Sequence, residues 1–527
     1  MFGTTLLIAS AATVPVWVTV MFCCLLVGLI TCLALEEILH AKKSIIAAAF
    51  AVICLLLGTA TGIFSFEEVV VGSHEAVVNE KVDVEYLGED DKMHRLPLVP
   101  PGHDDEHSEQ AESDHASEVA ASVHVGGHEI SMPIYIPGID WSVIAIILGS
   151  SLFVDVTSRS GLFSWIAIKA TKFSKGDPLY LLVLYGIMTV IFSAVLNNVT
   201  AMIIVGSLTV VSLEKLERRD KMLPFLLIEG LLTNIGGLLT LISSVPNIIV
   251  GTTANISFAT FLIKAAPYVV VATAVTLWLG ALIFGIHRNK DAETKKLAEE
   301  MVMGFDETDG IESWRFFKVA IFMLSLFVVL IAGTSALPVI NKLGMGYVAM
   351  SMAAVMLLMF RGEVDKFYRA VDWDLIGFFM ALFVVIYVME HAQVLHWIGN
   401  ALQAVMGDVS NPVTSASDAT TLLLGSAAFS SVTDNIPLAA MLASILNSLG
   451  APDSSGLWWS VIFGANLGGN LTPIGSASTL VAVTIMHKHD IKLSFAKFVK
   501  MAFIFAVVQI GIAIVYVNFV IPLIPTF

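Results

Sequence analysis

Two stretches of this chain carry nearly the same polar phrase inside apolar surroundings: "FSAVLNNVTA" at 192–201 and "FSSVTDNIPLA" at 429–439, each reading Phe-Ser-x-Val-x-[Asn/Asp]-Asn. Amides, hydroxyls and a carboxylate at this density can hold a small ion after water has been stripped from it. The first phrase offers Ser193, Asn197, Asn198 and Thr200; the second offers Ser431, Thr433, Asp434 and Asn435. Asn and Asp are favoured N-caps, and Pro437 suits a first helical turn because its ring needs no donated hydrogen bond there. Each phrase therefore predicts the tip of a helix-turn-helix hairpin whose second helix directs its positive dipole end at whatever is bound.

A second matched pair has the same character. "TNIGGLLTLISSVPNIIVG" (233–251) places Asn234, Gly236 and Thr240 ahead of Ser243, Ser244 and Asn247. "ANLGGNLTPIGSASTLVAV" (465–483) places Asn466, Gly468 and Thr472 ahead of Ser476 and Ser478. Both predict helices unwound in mid-span, with freed carbonyls and side-chain oxygens forming the oxygen-rich shell that a hard cation such as sodium prefers. A competing reading treats the glycines as helix-packing devices and the hydroxyls as interhelical glue. Four interruptions at matched positions favour the binding site, since irregular backbone at membrane depth survives only where protein or a water-filled cavity surrounds it.

Asp434 is the carboxylate within the four breaks. An intramembrane acid is costly and usually functional. It can hold a proton or a cation in turn, which makes Asp434 the leading proton-coupling candidate. Asp155, with Arg159 one helical turn later, reads equally as a structural pair and as part of a proton pathway; Glu229, beside Gly230, is a further proton-coupling candidate. Glu390 and His391 mark the end of a span. The run "HDDEHSEQAESDH" offers His103, His107 and His115 as weak metal ligands, against the blander reading of a solvated, partly disordered connector.

The elements that must position these groups are membrane helices. Hydrophobic residues make up 57% of the 527 and charged residues 14%, with a mean hydropathy of +0.84. At roughly 20 apolar residues per crossing, spans are expected at 10–35, 44–64, 139–156, 222–252, 264–286, 315–334, 343–360, 373–390, 457–485 and 499–524. The segments 178–213 and 419–448 are the interrupted hairpins. The first apolar run has no basic leader or small-residue cleavage site and reads as a span. All four cysteines fall in the first two spans, as small apolar fillers. Residues 65–130 hold seventeen acidic and three basic residues, so most of the net charge of −16 belongs to one loop. Lys and Arg gather in short loops, which the positive-inside rule places in the cytoplasm with the acidic loop outside.

The chain repeats itself. "DWSVIAIILG" from Asp140 matches "DWDLIGFFMA" from Asp372; Trp165 and Trp397, and Asn234 and Asn466, keep the same offset of 232, while Ser193 and Ser430 differ by 237. The predicted fold is all-α: an inverted repeat of five transmembrane helices plus one re-entrant hairpin each, with broken helices at the midplane. Residues 1–64 and 139–286 form the first repeat around an acidic loop at 65–138, and a cytoplasmic linker at 287–313 leads to the second repeat at 314–527.

Residues 139–524 resemble the citrate-transporter-like, or ion transporter, superfamily, and most closely its branch of arsenite pumps, NhaD sodium/proton antiporters and the melanosomal P protein. The similarity rests on "FSAVLNNVTA", "DNIP" and "GANLGGNLTPIGSAS", with "SGLFSWIAIKATKFSKGD" as a family-like connector. It implies a homodimer whose scaffold carries the dimer contacts while hairpins and broken helices move substrate like an elevator. The chain departs from the pattern at Asn197, where relatives often carry Asp, and at Ser243-Ser244-Val245-Pro246-Asn247, where they carry a "GDPPN"-like break. The leading expectation is an integral plasma-membrane sodium/proton antiporter with bound sodium, no other cofactor and no nucleic-acid partner. An arsenite, citrate or dicarboxylate carrier is the runner-up, ahead of a channel or metal sensor. No nucleotide-binding loop or hydrolytic constellation suggests an enzyme or ATP-driven pump.

Overall fold

The computed structural model describes residues 14–63, 66–71, 74–78, 84–87, 93–96, 121–125, 128–334, 337–360, 365, 368–369, 371–407, 409–411 and 414–525. Its first part runs α1 (Val16–Ala34), α2 (Glu36–Leu39), α3 (Lys43–Ala60), strands β1 to β6 within 66–133, then α4 (Trp141–Ser158), α5 (Leu162–Phe173), α6 (Pro178–Val195), α7 (Asn198–Lys215), α8 (Met222–Gly236), α9 (Val245–Thr253) and α10 (Phe258–Ile283). After α11 (Ala292–Met303) the succession recurs as α12 (Trp314–Ala332), α13 (Pro338–Met359), α14 (Trp373–His391), α15 (Val394–Met406), α16 (Ala416–Ser430), α17 (Asn435–Ser448), α18 (Gly456–Gly468), α19 (Ala477–Lys488) and α20 (Phe495–Phe519).

The protein has ten helices long and apolar enough to cross a membrane among the described residues. The number equals that expected, but the membership differs. The expected spans 222–252 and 457–485 are split into the short helices α8 and α9, and α18 and α19, none of which qualifies alone. Their places are taken by α6 and α7, whose 18 residues each reach about 27 Å. The first hairpin therefore has arms of nearly full hydrocarbon depth, whereas α16 and α17 have 15 and 14 residues.

The acidic connector contains strands that were not expected. Its described residues pair as three successive antiparallel ladders, β1 (Phe66–Val71) with β6 (His128–Pro133), β2 (His74–Val78) with β5 (Ala121–Val125), and β3 (Val84–Leu87) with β4 (Met93–Leu96). Runs such as "EEVVV" and "EAVV" supply the β-branched residues that suit such pairing. His103, His107 and His115 lie outside the described residues.

Local chemistry explains why the repeat is legible. Asp140 caps α4 by accepting from the Ser142 and Val143 amides at 3.0 and 3.1 Å, and Asp372 caps α14 through Leu375 at 3.0 Å. The following tryptophans each donate their indole N–H to a carbonyl five residues back, Trp141 to Ile136 at 3.2 Å and Trp373 to Tyr368 at 3.0 Å. Each next helix begins after a left-handed residue, Gly161 (φ 80°) or Gln393 (φ 61°), again 232 apart. Packing is reciprocal as well, with α4 against α13 and α3 against α14. The first of these contacts is close: a Cβ on Gly149 would stand 2.5 Å from the Ala349 carbonyl carbon. The linker adds a clamp, since α11 and the turn after it present Glu299 to Lys175 at 3.0 Å and Glu307 to Lys172 at 3.0 Å and to Lys169.

Gly149→Leu is expected to lower the thermal midpoint of the purified protein, because overpacking of a backbone contact costs about 1–3 kcal/mol; an unchanged midpoint would contradict this close approach. The Lys169 and Lys172 ammonium groups hold the Glu307 carboxyl below its ordinary range. A folded-state value lowered in this way stabilises the clamp at neutral pH and loses its contribution as pH falls below the unfolded carboxylate value towards the depressed one. Amide protection in Ala292–Met303, corrected for the intrinsic exchange rate, should therefore fall below about pH 4, and less so in Glu307→Gln.

Candidate functional site

Each hairpin tip is tied to the neighbouring broken helix by the same bonds. Ser193, at the end of α6, donates its hydroxyl to the Thr233 carbonyl at 2.6 Å, and Ser430, at the end of α16, donates to Ala465 at 2.6 Å. In return Thr240 donates to the Ala194 carbonyl at 2.6 Å and Thr472 to Ser431 at 2.5 Å. These hydroxyls satisfy carbonyls at the hairpin tips and near the helix breaks. Gly236 and Gly468 permit the approach: a Cβ would meet the Val190 carbonyl oxygen at 2.6 Å and the Ala427 carbonyl oxygen at 2.3 Å. For these two glycines the packing reading holds, and each brings a hairpin onto its break.

The two breaks meet at the centre. The Asn234 amide nitrogen donates to Asn470 Oδ1 at 2.8 Å and to Ser476 Oγ at 2.9 Å, and Ser478 donates to Asn234 Oδ1 at 3.1 Å. Reciprocally, Ser244 donates to Asn466 Oδ1 at 2.8 Å, and the Asn466 amide nitrogen donates to Asn247 Oδ1 at 2.9 Å. Each half thus presents an asparagine from its broken helix to the hydroxyls or amide beyond the other half's break. Asn198 joins from the first tip, accepting from Ser193 at 2.5 Å and lying 3.5 Å from Asn234 Oδ1. Asn234, Ser244, Asn247, Asn466, Asn470 and Ser478 are all buried.

Within the first break, Ser243 and the Asn247 amide nitrogen both donate to the carbonyls of Gly237 and Thr240, at 2.6 to 3.0 Å. Asn247 therefore presents its nitrogen, not its oxygen, to that loop. The corresponding residues of the second break are Gly475 and Thr479, and the Thr479 hydroxyl turns instead to Pro473 and Ser476.

The remaining candidates lie around this centre. Asn197 is exposed and caps α7 through the Thr200 amide at 2.7 Å. Ser431 and Thr433 bond the carbonyls of Ala428 and Phe429 on their own hairpin arm at 2.7 and 2.9 Å, and the half-buried Asn435 opens α17. Asp434 caps α17 through Ile436 at 3.1 Å, but its other oxygen makes an ion pair with Lys43 at 2.6 Å. The expectation of an acid awaiting a cation is corrected to that extent: a cation from α3 already occupies it. Asp155 pairs with Arg159 at 3.2 Å, half-exposed at the end of α4. Glu229 is fully buried and accepts from Thr209 at 2.6 Å, while its second oxygen has no partner among the described residues.

Sequence reasoning missed Lys43, which sits in a run that carries topological meaning, and Gln509, whose side chain accepts from Asn470 at 2.8 Å and donates to Thr276 at 3.0 Å. A lone glutamine inside the apolar α20 was the available signal. A large groove of about 790 Å³ lies apart from these groups, between α6 and α10. Its walls include Val183, Ile187, Val270 and Trp278, so it is apolar surface without the chemistry of an ion path.

Comparison with known proteins agrees with this architecture. The family model described as citrate transporter matches residues 113–464, spanning the first hairpin, the first broken helix and the second hairpin. The 46 kDa membrane protein of Mycobacterium leprae is 31% identical over 389 residues, covering 72% of this chain and 86% of its own. An uncharacterized transporter of Mycobacterium tuberculosis is 29% identical over 385 residues with the same coverage. The P protein of Homo sapiens is 24% identical over 75% of this chain, which spans 55% of the P protein. Among solved structures, MtrF of Neisseria gonorrhoeae, described as one of a class of antimetabolite efflux pumps, aligns with a TM-score of 0.53 at 10% identity over 92% of this chain and 96% of its own. The YdaH transporter of Alcanivorax borkumensis aligns with a TM-score of 0.51 at 12% identity over 91% and 98%. These two likenesses concern the fold alone. Apolar helices interrupted at matched positions, a polar centre where the interruptions meet and the family match agree: the chain belongs to the citrate transporter family and is an integral membrane transporter.

Proposed function

We propose that this protein is a secondary active ion transporter working by alternating access, with sodium/proton antiport as its reaction. The observation that carries the reading is the reciprocal bonding of Asn234 and Asn466 to hydroxyls of the opposite break. A polar locus shared by two halves can be opened to one side or the other by moving helices past each other, which is how inverted-repeat carriers use such breaks. In this scheme the two halves have opposite orientation and the basic loops are cytoplasmic. The hairpins and broken helices move against a scaffold formed by α3, α4, α13 and α14 in a homodimer.

Asp434 gives the ion specificity. A single carboxylate at a helix start suits one monovalent cation or one proton, so inward and outward steps carry one or the other. Glu229 is a second proton candidate because its burial leaves one oxygen without a partner among the described residues. A second reading, proton- or sodium-coupled transport of citrate or another small anion, is favoured by the family description. The N-termini of α7 and α17, with the Lys43 ammonium near the latter, supply positive potential for a carboxylate.

Proteoliposomes holding a pH gradient distinguish these readings. Labelled sodium uptake is expected in the wild type and should fall to the level of empty vesicles in Asp434→Asn; retained pH-dependent sodium flux in that variant would reject the assignment. Citrate or arsenite uptake without sodium exchange would select the anion reading. The shared locus has its own test. Asn234→Ala removes three bonds to the other half, each worth about 0.5–1.5 kcal/mol, and Asn466→Ala is expected to destabilise the protein and slow transport comparably. Asn197→Ala, at an exposed cap, should cost only about 1 kcal/mol. Equal thermal midpoints across all three variants would argue against a joint centre.

A further inference from the structure

Lys43 and Asp434 are 391 positions apart, yet the ammonium nitrogen stands 2.6 Å from the carboxylate oxygen. Lys43 opens α3, and Asp434 caps α17 at the tip of the second hairpin. The Glu36 carboxylate lies 3.6 Å from the same ammonium. The pair is not sealed, since the side chains of Lys43 and Asp434 are 31% and 17% exposed, so ions in solution can reach it. An ammonium group is a compact, hydrated, monovalent charge on a flexible stem. For a single carboxylate it is the closest side-chain equivalent of an alkali cation.

We propose that Lys43 is a tethered competitor for the transported cation: its ammonium fills the cation position at Asp434 when the site is empty, and an entering sodium displaces it towards Glu36. This rests on the reading of Asp434 as the cation-binding carboxylate. The exchange keeps Asp434 neutralised in both conditions, which avoids leaving an uncompensated partly buried charge when the carrier is empty.

The internal repeat supplies an independent observation. The offset of 237 makes Asn197 the counterpart of Asp434. For Lys43 the counterpart follows from packing: Gly377 lies against Ser44, Ala145 lies against Gly346, and Ala145 and Gly377 correspond by the 232 offset. Ser44 therefore matches Gly346, and Lys43 matches Met345. The acid thus comes from the second half and the base from the first, and the symmetry-related pair of positions, Asn197 and Met345, carries neither. The loop carbonyls also differ between the halves. In the first break the Gly237 and Thr240 carbonyls are already occupied by the Asn247 amide and the Ser243 hydroxyl. In the second, Gly475 and Thr479 replace those donors: the Thr472 carbonyl accepts the Gly475 amide at 3.3 Å, and no side chain among the described residues donates to it or to the Gly469 carbonyl. The half that carries Asp434 therefore has the fewer side-chain donors at its break, and Lys43 reaches that half from the other one.

The alternative is an ordinary brace holding the hairpin to α3, and the sign of one measurement separates the two. Sodium chloride is titrated calorimetrically into the purified full-length protein, with choline chloride holding ionic strength, for wild type, Lys43→Ala, Lys43→Arg and Asp434→Asn. A competitor reduces apparent affinity by the fraction of sites it leaves open, so Lys43→Ala should bind sodium about tenfold more tightly, with Lys43→Arg near wild type and Asp434→Asn showing no sodium heat. In parallel, acylation of Lys43 by an amine-selective reagent, read by peptide mass spectrometry, should rise several-fold in sodium over choline. Unchanged or weaker sodium affinity in an intact Lys43→Ala protein would overturn the proposal, as would acylation of wild type indifferent to sodium; the latter decides alone if Lys43→Ala does not fold. Absence of sodium heat in wild type is a distinct failure. It rejects the sodium reading of Asp434 and the competitor with it, and faster Lys43 acylation in Asp434→Asn would then identify the pair as a brace.

Discussion

Backbone amides and carbonyls inside hydrocarbon must be paired, because each one left open costs several kcal/mol. A chain that interrupts its helices at four places in a membrane protein must therefore bring partners to every interruption. Here the partners are side chains from the neighbouring element: Ser193 and Ser430 reach the carbonyls of Thr233 and Ala465, and Thr240 and Thr472 reach those of Ala194 and Ser431. Such bonds require the hairpin to lie almost in contact with the broken helix, which only a residue without Cβ allows at positions 236 and 468. The double glycine, the flanking asparagine and the hairpin serine are thus one device, present twice.

Asparagine suits the meeting point of the breaks because it donates and accepts at once. Asn234 and Asn466 each spend both functions across the boundary between the halves, so the polar groups released by one interruption are satisfied by the other. Extension through Asn470 to Gln509 and Thr276 carries the network to α20 and α10, which pack on each other. A core of this kind holds the halves in a definite relation while keeping its polar groups paired.

The hydroxyls that tie hairpin to break are the same in both halves, Ser193 with Ser430 and Thr240 with Thr472, while Ser243 and Asn247 give way to Gly475 and Thr479 and the charged positions diverge as well. Asn197 faces Asp434 in the alignment, Met345 faces Lys43, and Glu229 faces Val461. Since Val461 is buried in the same role without a carboxyl, packing does not require an acid at 229. Charge has been added to a frame that is complete without it, with the acid of one half and the acid of the other on different elements: Glu229 within α8 and Asp434 at a hairpin tip.

How far the primary structure speaks depends on the range of the physical rule involved. Apolar run length, capping by Asp140 and Asp372, the prolines at three of the four breaks (Pro246, Pro437 and Pro473) and the matched offsets are read from the chain itself, so helices, hairpins, interruptions and repeat were legible directly. Membership among the crossing helices was less so, because the segments that hold α6 and α8 are both apolar and only the structure shows which is continuous. The β ladders between α3 and α4 join residues up to 67 positions apart, from Phe66 to Pro133, and composition alone reads such a loop as solvated. The contact of Asp434 with Lys43, and of each central asparagine with hydroxyls more than 200 positions away, was decided by tertiary structure alone. Residue type and spacing set what a side chain can bond; which partner comes within 3 Å is set by the crossing of helices from separate halves.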